Sequence, residues 1–248
     1  MYYRLFLSVV FRASAMDAQQ ALFSEPSQPD GGIAIVSSSM APTESKRIFL
    51  LIPNFRTVPT IADFKTLTPG EKFRIATDDS LDPGTFALAA LFGGVGQLTN
   101  SNRSFGQGSA GFSRYVGAAF GDFALGSYMT EAIYPSLLHQ DPRYFRRGTG
   151  TPWSRLRYAV GQIFWTHEDS GKAEFNYSEL VGNATAVAIS NAYYSDNRTA
   201  SNTISKLTAQ IGIDTAGNIL KEFWPDFEHK FRKKHRGLIE TAQAAESR

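Results

Sequence analysis

Apolar residues recur every three or four positions along the longest patterned stretch of the chain. Phe112, Val116, Phe120, Phe123 and Ser127 follow this helical period. The segment from Phe105 to Leu138 is therefore expected to be a helix, kinked or ended by Pro135. Gly117 and Gly121 form G-x-x-x-G on one side of it, a pattern of closely packed helices, and Gly126 adds to the small residues. Upstream, Asp82-Pro83 opens an almost wholly apolar segment, Thr85 to Leu98, whose later half carries Gly93, Gly94 and Gly96, which weaken the helix there and let another backbone come close. Its length suits a buried or half-inserted helix better than a full membrane span. Thr68-Pro69-Gly70-Glu71 supplies a capping threonine, a first-turn proline and the glutamate of a capping box, so a helix runs from there to Asp78-Asp79.

Thr151-Pro152 repeats the cap-and-proline start and predicts a helix through Trp165, with a polar turn over His167 to Lys172. Asn176 to Tyr194 mixes small residues with Val and Ile and reads as another helix. Thr199 or Ser201 caps the next, which Pro225 closes after Trp224. A basic amphipathic helix with Phe227 and Phe231 on one face follows, then a loose tail. The expected fold is all-α: a compact bundle of about five or six helices with small-residue packing. A β-barrel is the rival, but the long segments favour a period of 3.6 over 2. Residues 1–46 read as a signal-like start and flexible linker, 47–236 as the helical domain and 237–248 as the tail.

Composition narrows the chemistry. With 248 residues, 42% of them hydrophobic, the chain can build a core without staples. Cysteine is absent, which excludes disulfide scaffolds, thiolate metal sites and cysteine nucleophiles. The net charge of +2 favours no partner. Mean hydropathy is −0.22, low for a polytopic membrane protein. The opening MYYRLFLSVVFRASA has a positive residue, a short apolar run and a small-x-small site, as in a minimal secretory signal.

Charge is unevenly placed. Arg143, Arg146, Arg147, Arg155 and Arg157 fall in a stretch without an acid, and Lys230, Arg232, Lys233, Lys234 and Arg236 form a second cluster. These are candidate anion sites facing phosphate or the anionic lipid of a membrane surface; the alternative is a solvated loop and helix end. Nucleic acid is not expected as a partner, since no zinc finger, RNP-like or KH-like pattern occurs.

Three apolar helices each hold a central polar residue: Asp122, Asn183 and Asp214. With Glu131 and Asn218 they are candidates for a buried polar centre. Glu179 shares a face with Asn183, and Gln210, Asp214, Asn218 and Glu222 form a stripe of i+4 steps. His139 and Asp141 are weak catalytic candidates, as a metal-binding or base–orienter pair, against a plain helix end and turn. Gly106 to Gly111 matches G-x-G-x-x-G, but the polar stretch before it cannot be the buried strand of a dinucleotide fingerprint. No second metal-ligand cluster is seen, and no cofactor or metal is expected.

Three strings carry a resemblance: LLHQDPRYFRRG at 137–148, ISNAYY at 189–194 and KEFWPD at 221–226, together with IPNFRTV at 52–58 and LTPGEKF at 67–73. With these the chain resembles an uncharacterised family of bacterial proteins, usually predicted to be exported. The resemblance implies the cell envelope, periplasm or outer membrane, and carries over no catalytic residue. Three functions are open at this point. The first is a non-catalytic envelope protein, peripheral to or partly embedded in a membrane. The others are a hydrolase of a phosphate-bearing or lipid substrate using His139 and Asp141, and a carrier of lipid or another small molecule.

Overall fold

The computed structural model describes residues 47–48 and 52–246. The signal-like start and the linker lie outside the described residues, as do the side chains of Arg232, Lys233, Lys234 and Arg236.

Local capping chemistry sets most helix starts. Thr68 and Glu71 close a full capping box on α1 (Pro69–Ser80). Asp82 accepts from the Gly84 N–H at 2.7 Å to open α2 (Pro83–Leu98). A turn then leads into α3 (Gly108–Ser127), which continues without a break through a π-helical segment (Tyr128–Ile133) into α4 (Tyr134–Leu138). Pro135 lies in the first turn of α4, directly after the wide π turn, and the helix survives it. His139 ends α4 in the left-handed conformation, φ 56°. Thr151 caps α5 (Pro152–Gly161) and Asn176 caps α6 (Tyr177–Ser190). The last helix, α7, runs from Ala200 to Glu246.

The helices carry small sheets, so the molecule is mostly helical rather than purely all-α. β1 (Arg47–Ile48) pairs antiparallel with β2 (Ile52–Pro53). β3 (Thr57–Val58) runs parallel to β5 (Tyr144–Phe145). β6 (Trp165–Glu168) is the centre of an antiparallel sheet with β4 (Gln140–Asp141) and β7 (Ala173–Phe175). The helix expected through Trp165 thus stops at Gly161, and the expected polar turn is the tip of the β6–β7 hairpin. Trp165 stacks edge-on against Phe175 across that pair, 6.1 Å between rings, the kind of cross-strand contact that favours strand.

Pro225 does not close the last helix. Arg155 grips the turn around it, donating to the Glu222 carbonyl at 2.6 Å, the Glu222 carboxylate at 2.8 Å and Asp226 at 2.5 Å. These bonds hold the backbone in register where proline removes an N–H.

Close helix packing falls at other glycines than the G-x-x-x-G pair. A Cβ on Gly117 would meet nothing, whereas one on Gly93 would lie 2.7 Å from the Val116 nitrogen. α2 and α3 therefore touch backbone to backbone at Gly93. Phe86 stacks on Phe120 and Phe92 meets Phe123 edge-on along the same seam. Gly182 does the same for α6, where a Cβ would lie 3.1 Å from the Met129 carbonyl, beside the π segment.

Candidate functional site

The approach at Gly182 brings Glu179 and Asn183 of α6 to the π segment, where Glu131 turns inward. The Asn183 amide donates to Asp214 of α7 at 3.0 Å and to Glu179 at 3.3 Å. Arg56, in the loop before β3, lies 3.4 Å from Glu131. Asp79 at the end of α1 and Lys221 of α7 complete the group, both buried. Five elements thus converge on four carboxyls and two cations. The carboxyls are neighbours in pairs, Asp79 with Glu131 and Glu179 with Asp214, each pair within hydrogen-bonding reach.

Burial dominates the electrostatics. It raises the Glu131 carboxyl well above its ordinary value, helped by Asp79, against the pull of Arg56 and Lys221. It pushes Glu179 up to about 8, with Asp214 adding to the effect. It lowers the Lys221 ammonium to about 8, with Arg56 adding its repulsion. Asp79 is raised for the same reason. Asp79 Oδ1, Glu131 Oε2 and Asn183 Oδ1 are buried without a hydrogen-bond donor. A cavity of about 30 Å³, bordered by Arg56, Glu179, Asn218, Asp141 and Arg143 among others, adjoins the centre.

Of the residues singled out from sequence, Glu131, Asn183 and Asp214 meet here, and Asn218 borders the cavity. Asp122 does not join them. It accepts from the hydroxyls of Tyr193 at 2.5 Å and Tyr194 at 2.7 Å, on another part of α3. Arg56, Asp79 and Lys221 were not foreseen. Nothing in their local sequence marks them, because their partners lie on other elements.

The second polar cluster is built on Glu222, the residue after Lys221 on α7. Glu222 is fully buried and accepts from the Tyr144 hydroxyl, the Arg147 and Gly148 N–H groups and Arg155. It is a latch with every acceptor used.

The candidate arginines divide. Arg143 grips Asp141, 2.6 Å at the closest approach, and Arg155 grips Glu222 and Asp226, so both serve the interior. Arg147 lies over the Tyr158 ring. Arg146 and Arg157 are half-buried and exposed respectively. His139 and Asp141 do not meet. Asp141 is sealed against Arg143, while His139 is exposed at the rim of an open depression of about 570 Å³, 3.9 Å from Asp169. Asp169 in turn is held by the buried Lys72 at 2.7 Å.

Among the described residues no group of three or more His, Asp or Glu is placed to hold a metal ion. Comparison with protein-family models, with curated proteins and with solved structures gives no match.

Proposed function

We propose that this is a non-catalytic protein of the bacterial cell envelope that lies on a membrane with α2 seated in the boundary between headgroups and acyl chains. One observation carries the reading. Leu91, Val95 and Leu98 of α2 are each more than half exposed, and they step by four and three along one face. No charged residue occurs from Pro83 to Asn102. Such a stripe is costly in water and favourable at a lipid interface. Arg103, shortly after Leu98 along the chain, is exposed and suits anionic headgroups.

The helix lies in the interface rather than crossing it. Its 16 residues span about 24 Å, short of the roughly 30 Å hydrocarbon core. Among the described residues no helix is long and apolar enough to cross a membrane. Burying what the three side chains expose gains roughly 1 kcal/mol each, so attachment is reversible. The resemblance to exported bacterial proteins supports the same compartment. Fractionation of bacteria expressing the full chain tests the reading. Recovery in the envelope fraction, extractable by detergent, is expected; a wholly cytosolic soluble pool would contradict it.

A further inference from the structure

We propose that the buried charged centre is a proton-operated lock on α7, whose closed state keeps one proton in each carboxyl pair and whose open state releases at least one of them. This goes beyond membrane seating and does not depend on it.

The charge count is the first support. Asp79, Glu131, Glu179 and Asp214 are four carboxyls facing only two cations, Arg56 and Lys221. Fully ionised, the centre would hold two uncompensated negative charges in the interior, a costly state. One proton per pair leaves two carboxylates against two cations. The orphaned oxygens are the second support. Asp79 Oδ1 and Glu131 Oε2 both lack a donor, and a proton held between their carboxyls supplies one.

The third support is access. The small cavity reaches Glu179 and Arg56, is partly open to solvent and has room for about two waters. Water there can carry a proton between solvent and Glu179. The charged and polar groups acting on Glu179 are Asp214 and Lys221 from α7, Arg56 from the loop before β3 and Asn183 from α6 itself, while Asp141 and Arg143, bound to each other, border the same cavity from β4 and the turn after it.

The sign follows from linkage. The Glu179 carboxyl is raised to about 8 when the centre is closed, against 4.5 when exposed. Opening therefore becomes easier as pH rises from 4.5 towards 8, since the open state ionises and the closed state does not. Lys221, lowered to about 8, acts in the opposite sense only above that value.

The test is a carbon-detected NMR titration of side-chain carboxyls in the full chain, with Glu179→Gln assigning the signal. The Glu179 midpoint is expected near 8; a midpoint in the ordinary carboxylate range overturns the lock. Amide exchange over residues 207–222, corrected for intrinsic rates, gives the second reading. Exchange should quicken by about tenfold or more between about pH 5.5 and about pH 8 in the wild type, and clearly less in Glu179→Gln. Equal acceleration in both chains also overturns the proposal. If Glu179→Gln does not fold, the wild-type titration decides, assigned through backbone correlations.

Discussion

Glu222 and Asp226 are neighbours on α7, both bound by Arg155, yet their surroundings make them unequal. Glu222 is sealed, and its removal leaves the Arg155 guanidinium and two backbone N–H groups short of a partner. Glu222→Ala is expected to cost about 3–5 kcal/mol in urea unfolding, and Asp226→Ala, half exposed, about 0–1 kcal/mol. Equal losses would show that the latch is not where the stability lies. The glycines make a second pair. Gly93→Ala drives a methyl into the Val116 backbone and should destabilise by about 1–3 kcal/mol. Gly117→Ala meets open space in a helix interior and should stabilise by about 0.5–1 kcal/mol, read as a shift in thermal midpoint. The G-x-x-x-G pattern pointed to Gly117 and Gly121, which make no close approach, while Gly93, in the glycine-rich half of α2 expected to admit another backbone, does. The pattern reports which residues are small, whereas the point of helix contact depends on where the partner crosses.

At the scale of elements, helix starts were legible because their chemistry is local. Thr68, Asp82, Thr151 and Asn176 each bond a backbone N–H two or three residues on. The strands were not legible. β3, β4 and β5 have two residues each, too few to show a period, and they exist through pairing with distant partners. The π segment was hidden for a related reason. An extra residue in one turn shifts the phase by about 100°, which blurs the repeat it interrupts. Pro225 was misread because the Arg155 grip that carries the helix through it comes from α5. Because α7 runs on through Pro225, Pro225→Ala should raise stability, by up to about 3 kcal/mol, in thermal unfolding followed by circular dichroism. No gain would mean the helix ends at Trp224 after all.

For the molecule as a whole, the sequence offered Asp122, Asn183 and Asp214, with Glu131 and Asn218, as candidates for a buried polar centre without showing that they converge; Glu131, Asn183 and Asp214 do. It could not show that Arg56 and Lys221 would join them while Asp122 would find two tyrosines instead. That sorting depends on how α1, the π segment, α6 and α7 pack. The resulting division of labour is consistent: ionic groups tie the interior, and the uncharged outer stripe of α2 is left to face something apolar. Two of the candidate anion-binding arginines, Arg143 and Arg155, are bound inside, so in the proposed membrane seating the attraction to lipid rests on the α2 stripe with Arg103.

Partition of the purified full chain onto vesicles of phosphatidylethanolamine and phosphatidylglycerol tests that account most directly. The wild type should float with the vesicles, and the double variant Leu91→Asp, Leu98→Asp, changed only at exposed positions, should bind at least about tenfold more weakly while keeping its circular dichroism spectrum. Equal partition of the two chains, or no binding by the wild type, would contradict it.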